Sequence, residues 1–505
     1  MTDATLAEDM LAQVGALDPG SPTRSIVTHG AVIVLNGDRA WKLKRPVRLR
    51  YFDFSTPQRR GQALDAELRL NRRFAPGIYL AVHTISRADD GLLSFDGTGE
   101  IVDHVLEMTR FDDDALMVTH AHPGGLDDDL LQRLALRVVE LHQGSEISGD
   151  ARGAQRLQEV VDGNLASMAA FPEIIEPVVA QELTDRITTL ITEYRELLDD
   201  RARGGRVRHC HGDLHLGNVA IIDGEPIPFD CLEFDAELAT TDVLYDLAFL
   251  VMDLWARGLR HEANVVVNTY FDHATFDGAI DDEQAFCLLP VLLAVRATVR
   301  AHVAAAEHDV DRAHEYLSLA LGFTESARPR LVAIGGGSGT GKSTIARAVG
   351  GSLDPAPGAR ILRTDVLRKR LAGVGIADKL PRSAYTDTAR AAVYTELFRL
   401  AEADIRGGMS VIADAVFGRS SQSTATADVA ERAGVDFTGI WLELPESERI
   451  SRIEHRGLDA SDADASVARR QSETLERPDD HWRRVKASGG VESVVAASGL
   501  GADRG

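Results

Sequence analysis

His209-Cys-His-Gly-Asp-Leu-His-Leu-Gly-Asn218, followed by Ile227-Pro-Phe-Asp-Cys-Leu-Glu-Phe234, is the stretch on which the reading of this chain turns. It supplies Asp213, then Asn218 five residues later, then Asp230 beyond a short apolar hairpin. That order and spacing suit a phosphoryl-transfer site. One carboxylate receives the proton of an attacking hydroxyl, while an amide and a second carboxylate hold magnesium on the nucleotide phosphates. Asp213 is therefore the candidate base, and Asn218 and Asp230 are the candidate metal ligands. A polar turn between two strands could carry His and Asp by accident, but three groups agreeing in order and spacing are harder to explain that way.

Upstream, Ala31-Val-Ile-Val-Leu35 reads as a strand, Asn36-Gly-Asp38 as a turn, and Ala40-Trp-Lys-Leu-Lys44 as the return strand. A strand lysine in a small lobe pairs with nucleotide phosphates, and a helix glutamate holds it. Lys42 and Lys44 share a face because strand side chains alternate. Either could be that lysine, with Lys42 preferred because it lies deeper in the strand. Glu67, on the helical stretch from Pro57 to Phe74, is the glutamate candidate. No glycine-rich flap precedes the lysine, so the Asn36-Gly37 turn would have to cover the phosphates. Val102 to Phe111 reads as the last small-lobe strand and the adenine hinge. From Leu126 to Leu198 apolar residues recur at helical spacing. Asp242 and Asp246 then lie four apart on an apolar helix, and Asp242 is the residue expected to brace the catalytic loop.

Gly322-Phe-Thr-Glu-Ser-Ala-Arg-Pro-Arg330 interrupts the helical pattern and reads as a domain boundary. Leu331-Val-Ala-Ile334 is a short buried strand. Gly336-Gly-Ser-Gly-Thr-Gly-Lys-Ser343 then satisfies G-x-x-x-x-G-K-[ST], and a helix follows from Thr344. Strand, glycine loop and helix together are the context that confirms a P-loop. Gly336, Gly337, Ser338, Gly339, Thr340, Gly341 and Thr344 belong to the phosphate cradle, Lys342 reaches the β- and γ-phosphates, and the Ser343 hydroxyl ligates magnesium. Two more strands, ending at Asp365 and at Asp414 to Val416, place those carboxylates at the binding edge of an open sheet. Asp365 is the candidate base of this second site and Asp414 the candidate holder of the magnesium water shell. Ile440–Leu444 is a fourth strand. Arg449, Arg452 and Arg456 follow at helical spacing, and Arg452 and Arg456 are the ones expected on a lid that closes over the transferring phosphate.

The chain has 505 residues, too long for one ordinary core, so several domains are expected. Its net charge of −23 argues against nucleic-acid or membrane-surface partners, because phosphates would be repelled outside local basic pockets. Three cysteines supply no disulfide framework and no zinc spacing. The acidic N-terminus lacks a basic-then-apolar signal, and no run of eighteen apolar residues is visible, so a cytoplasmic enzyme is expected.

The His-Gly-Asp-x-His-x-x-Asn wording resembles the aminoglycoside phosphotransferase and choline kinase family. The glycine loop and its sequel resemble small P-loop kinases such as gluconate and shikimate kinases or the zeta-toxin group. Taken whole, the chain is similar to bacterial bifunctional aminoglycoside phosphotransferase and ATP-binding proteins, often labelled AAA-family ATPases. Tyr51-Phe-Asp-Phe-Ser-Thr56, Glu67 to Arg73, Phe249 to Leu254 and Asp459-Ala-Ser-Asp462 carry that resemblance beside the two loops. It implies an α+β protein-kinase-like domain over residues 1–322 (small lobe to about 111, helical large lobe beyond), a linker at 323–330, and an α/β P-loop domain with a parallel sheet over 331–505. The expected activity is transfer of the γ-phosphoryl group of ATP, with Mg2+, to a small hydroxylated acceptor such as a sugar, amino sugar or aminoglycoside. The alternative is a regulatory ATPase or toxin-like protein whose kinase-like domain senses nucleotide or binds a partner.

Overall fold

The computed structural model describes residues 3–48, 53–233, 236–276, 282–455, 460–478 and 481–500. The chain forms two compact units, one made of Met1–Asp150 and Gly205–Leu250, the other of Ala151–Gly204 and Val251–Gly505. The second unit takes in helices upstream of 323–330 as well as the residues after it.

The first unit is built on a six-stranded antiparallel sheet of order β1-β2-β3-β6-β4-β5. Its strands are β1 (Thr23–Val27), β2 (Ala31–Asn36), β3 (Arg39–Lys44), β4 (Tyr79–Arg87), β5 (Leu93–Phe95) and β6 (Glu100–Thr109). Alternation sorts its two faces. Val32, Val34, Trp41 and Leu43 pack under the N-terminal helix Asp3–Gln13. Leu35, Ala40, Leu106 and Met108 pack with Leu64 of the helix Pro57–Asn71. Lys42 and Lys44 necessarily point the second way, toward that helix. Thr56 caps the helix by accepting from Arg59 N–H, and Pro57 opens its first turn.

Beyond the sheet, β7 (Val207–His209) and β10 (Thr240–Asp242) pair antiparallel, and β8 (Val219–Ile222) and β9 (Glu225–Pro228) form the expected hairpin between the catalytic loop and Asp230.

The second unit contains a five-stranded parallel sheet of order β12-β13-β11-β14-β15. Its strands are β11 (Arg330–Gly336), β12 (Arg360–Arg363), β13 (Val411–Asp414), β14 (Asp436–Glu443) and β15 (Trp482–Lys486). Central β11 is apolar on both faces, as a parallel strand covered by helices must be. Leu331 and Ala333 meet one helical layer and Val332 and Ile334 the other, all four fully buried. Two corrections follow. The strand expected to reach Asp365 stops at Arg363, so Asp365 lies in the first turn of the helix Thr364–Leu371. The edge strand β15 escaped sequence reading because Trp482-Arg-Arg-Val-Lys486 mixes charge with two inward residues, Trp482 and Val485.

Helices between Gly153 and Arg203 and between Arg260 and Phe323 complete this unit. The helix Arg260–His273 lies against the phosphate-loop helix Lys342–Gly350: Asn264 Nδ2 donates to the carbonyls of Pro357 and Ala359, at 3.1 and 2.9 Å. At the start of β12, the buried Arg360 guanidinium meets Glu283, Asn268 at 2.9 Å and Asp272 at 2.8 Å. Among the described residues Asp282–Ala306 is long and apolar enough to cross a membrane, yet 67% of that window is buried inside the protein, as in a core helix.

Candidate functional site

The kinase-like site is assembled from β3, the helix Pro57–Asn71, the catalytic loop and the turn after β9. Lys42 Nζ lies 2.6 Å from Glu67 Oε1 and 2.8 Å from Asp230 Oδ1. Lys44 reaches the other oxygen of the same glutamate, at 2.7 Å, and Glu233 at 2.5 Å. Both lysines therefore touch Glu67, but of the two it is Lys42 that meets Asp230. Burial lowers the tendency of Lys42 to stay charged, but Asp230 and Glu67 reverse this and hold its pKa well above the usual value. Lys44 is raised for the same reason, with Glu67 as its main partner. Burial works against the charge of Asp230, and Lys42 outweighs it, so that carboxyl stays below the usual range. Burial and the neighbouring Glu67 push the Glu233 carboxyl up, while Lys44 and Lys42 work against them. Asp230 is the half-exposed acid of this cluster.

Asp213 is held from the side: Asn218 Nδ2 donates to its carbonyl at 2.9 Å and to its Oδ2 at 3.0 Å. His215 Nε2 is 3.6 Å from the same carboxylate oxygen. Asp230 has φ +61°, a left-handed conformation that Asp adopts more readily than most non-glycine residues. Its N–H donates to the Tyr79 hydroxyl at 3.0 Å, and the next N–H, of Cys231, donates to Asn71 Oδ1 at 2.8 Å. The loop is braced by Asp246 rather than Asp242. Asp246 Oδ1 accepts from Gly212 N–H at 2.8 Å, and Oδ2 accepts from His211 N–H at 3.2 Å and contacts His142 Nε2 at 3.1 Å. Asp242 instead takes Leu244 N–H at 2.8 Å, as a cap at the start of its helix. The hard oxygen donors of Asp230 and Asn218, whose amide nitrogen is committed to Asp213, fit magnesium.

In the second unit Ser343 Oγ donates to Asp414 Oδ2 at 2.5 Å, bringing the two candidate magnesium residues together as a hydroxyl–carboxylate pair that also fits that ion. Burial raises the Asp414 pKa, offset in part by Lys342 and Arg363. Burial lowers that of Lys342, whose Nζ donates to the Gly337 carbonyl at 3.2 Å. Asp365 pairs with Arg368 at 2.8 Å, and the Arg368 guanidinium lies 5.1 Å from the Tyr385 ring centroid. Arg452, expected on a lid, lies beside the phosphate loop. It donates to the Thr340 carbonyl at 3.4 Å and to the Ala487 carbonyl at 2.9 Å, supporting the loop from beside it. Arg456 lies outside the described residues.

Arg449, which the sequence placed with Arg452 and Arg456 at helical spacing but which was not among the two expected on the lid, lies one turn earlier with a relative exposure of 6%. Its Nη1 points at the loop, so closely that a Cβ on Gly337 would stand 2.4 Å from it. Gln471 was missed: its Oε1 accepts from Ser338 N–H at 2.7 Å. Gln471 carries no signal in the sequence beyond being polar on a charged helix.

The Phosphotransferase enzyme family matches residues 51–279, and the AAA domain family matches residues 331–478. "Uncharacterized protein Mb2027c" of Mycobacterium bovis and "Uncharacterized protein Rv2004c" of Mycobacterium tuberculosis are each 31% identical over 466 residues, covering 87% of this chain and 88% of the relative. Among solved structures, a gluconokinase from Sinorhizobium meliloti 1021 is 22% identical, with a TM-score of 0.26, over 34% of this chain and 91% of its own. The GDP and kanamycin complex of APH(2")-IIia is 15% identical, with a TM-score of 0.39, over 64% of this chain and 98% of its own. The choline kinase of Cryptosporidium parvum Iowa II is 11% identical, with a TM-score of 0.41, over 64% of this chain and 95% of its own. The chain belongs to the family, shared with the mycobacterial relatives, that joins a kinase-like phosphotransferase domain to a P-loop AAA domain in one polypeptide.

Proposed function

We propose that the protein is an ATP- and magnesium-dependent kinase with two nucleotide sites, each passing the γ-phosphoryl group to a small hydroxylated acceptor. The boundary between the two catalytic domains in this reading falls at 323–330, and the setting is the cytoplasm. The observation that carries the proposal is the Lys42 bridge between Glu67 and Asp230, formed beside an Asp213 that Asn218 already orients. A lysine so held is fixed to receive phosphate oxygens rather than to wander. Asp213 takes the proton of the acceptor hydroxyl as the oxygen–phosphorus bond forms and ADP leaves. In the second site Asp365 has that role, and Lys342 neutralises the phosphate charge. Magnesium would be held by Asn218 and Asp230 in one site and by Ser343 and Asp414 in the other, where it supplies charge neutralisation when bound. The acceptor is a sugar, an amino sugar or an aminoglycoside-like molecule; the acidic chain favours a cationic one and disfavours nucleic acid.

The test is a mass-spectrometric search for phosphorylated products, with Mg-ATP and a pool of sugars, amino sugars and aminoglycosides. Wild type, Asp213→Ala and Lys342→Ala are run side by side. Products lost in one variant alone assign an acceptor to one site, and two such products establish two kinases. ATP turnover with no phosphorylated acceptor in any sample would refute the proposal.

A further inference from the structure

Two side chains from separate helices converge on the outer rim of the phosphate loop. Arg449, on the helix Glu446–Glu454, uses Nη2 to bond Ser472 Oγ at 2.5 Å and the Ala468 carbonyl at 3.3 Å. Its Nη1 is buried and has no hydrogen-bond partner among the described residues. A buried guanidinium N–H left without an acceptor is costly. Nη1 points at Gly337, where the Lys342 ammonium also rests. The adjacent Ser338 N–H, one of the backbone donors that such loops direct at phosphate, is taken by Gln471 Oε1 from the helix Ala465–Thr474. A guanidinium N–H with no acceptor among the described residues and a borrowed acceptor thus meet at one spot, and both call for an anion there.

The identity of that anion follows from position. The helix N-terminus at Lys342 and Ser343 surrounds the β-phosphate, and Lys342 spans β and γ. Gly337 and Ser338 lie on the far side of Lys342 from that helix in sequence, at the end where its ammonium now sits, which is the γ end. We propose that Arg449 and Gln471 are the γ-phosphate readers of the P-loop site, so that this site distinguishes a nucleoside triphosphate from a diphosphate. Without nucleotide, the Gln471 amide oxygen stands in for a phosphate oxygen on Ser338 N–H. In the triphosphate complex the γ-phosphate takes Ser338 N–H and Arg449 Nη1, and Gln471 turns its amide to present NH2, the donor end of the same group. Gln471 and Ser472, the latter bonded to Arg449, sit side by side on one helix, so that helix senses whether the third phosphate is present.

This inference rests on the P-loop being a nucleotide site, and the experiment separates the two. Binding of the non-hydrolysable triphosphate AMP-PNP and of ADP is measured by calorimetry on the full chain carrying Lys42→Met, with Lys342→Ala, Arg449→Met, Arg449→Lys and Gln471→Glu added singly. Arg449→Met should weaken AMP-PNP by at least about tenfold while changing ADP less than about twofold, the loss of one charge-assisted hydrogen bond. Gln471→Glu, isosteric on a part-exposed position, should do the same by placing a carboxylate against the γ-phosphate, and Arg449→Lys should recover part of the loss. Equal weakening of both nucleotides by Arg449→Met, or none by Gln471→Glu, overturns the inference. Binding indifferent to Lys342→Ala overturns instead the nucleotide-site reading beneath it.

Discussion

Lys44 brings a second ammonium to a carboxylate that Lys42 already occupies, and this makes the two lysines separable by experiment. Lys42→Met should abolish phosphoryl transfer at the first site with little change in folding, because Glu67 keeps Lys44. Lys44→Met should leave Glu67 and Glu233 buried with one cation fewer and cost about 3–5 kcal/mol in chemical denaturation. Adding Glu233→Gln should return part of that loss, and a double mutant no more stable than the single one would contradict this account. Asp246→Ala should likewise destabilise by about 3 kcal/mol or more, as it strips acceptors from His211 and Gly212, whereas Asp242→Ala removes a part-buried cap worth about 1 kcal/mol. At this scale the catalytic loop was legible because its chemistry is fixed by spacing within one segment. Which of Asp242 and Asp246 holds the catalytic loop, and which arginines of the helix Glu446–Glu454 lie against the phosphate loop, was not. Those choices depend on where a helix begins and which turn faces the loop, and residues four or three apart on one face look alike until the helix is placed.

Elements show the same division between local and distant causes. The β2–β3 hairpin, the β8–β9 hairpin and the β11–loop–helix unit announce themselves through turn residues and apolar runs that act over a few positions. β15 does not, since its strand character comes from pairing with β14, from Gly439↔Trp482 to Glu443↔Lys486, rather than from its own residues. The contact between the phosphate loop and the helix Glu446–Glu454 gives a prediction at this level. Gly339 has φ +85°, and a Cβ there would stand 2.5 Å from the Arg449 carbonyl oxygen, a backbone atom that cannot swing aside. Gly339→Ala should therefore cost about 1–3 kcal/mol in thermal or urea unfolding and weaken nucleotide binding at that site. Full stability in the variant would show that helix and loop are not in contact.

For the molecule as a whole, the cluster around Arg360 links stability to acidity. Burial alone would raise the Glu283 pKa, but Arg360 and Arg370 pull it down from 4.5 to about 2. A carboxyl depressed on folding contributes stability that is complete above its unfolded value and disappears as pH falls through its folded value. The second unit should accordingly lose about 3 kcal/mol between pH ~4.5 and ~2 from this group, an order-of-magnitude figure. Glu283→Gln should flatten that acid limb in denaturation measured at pH 5 and pH 3, and an unchanged slope would exclude the assignment. The domain order was readable from motifs, but this cluster was not, because Glu283 and Arg360 are 77 positions apart and each looks like an ordinary surface charge. Their union has a consequence for where the chain can be cut. Because Glu283 and Asp272 precede residue 323 and Arg360 follows it, a fragment cut at 323–330 would carry a sunken guanidinium without the carboxylates that answer it, so the half downstream cannot be excised at that point without leaving a charge stranded in its interior.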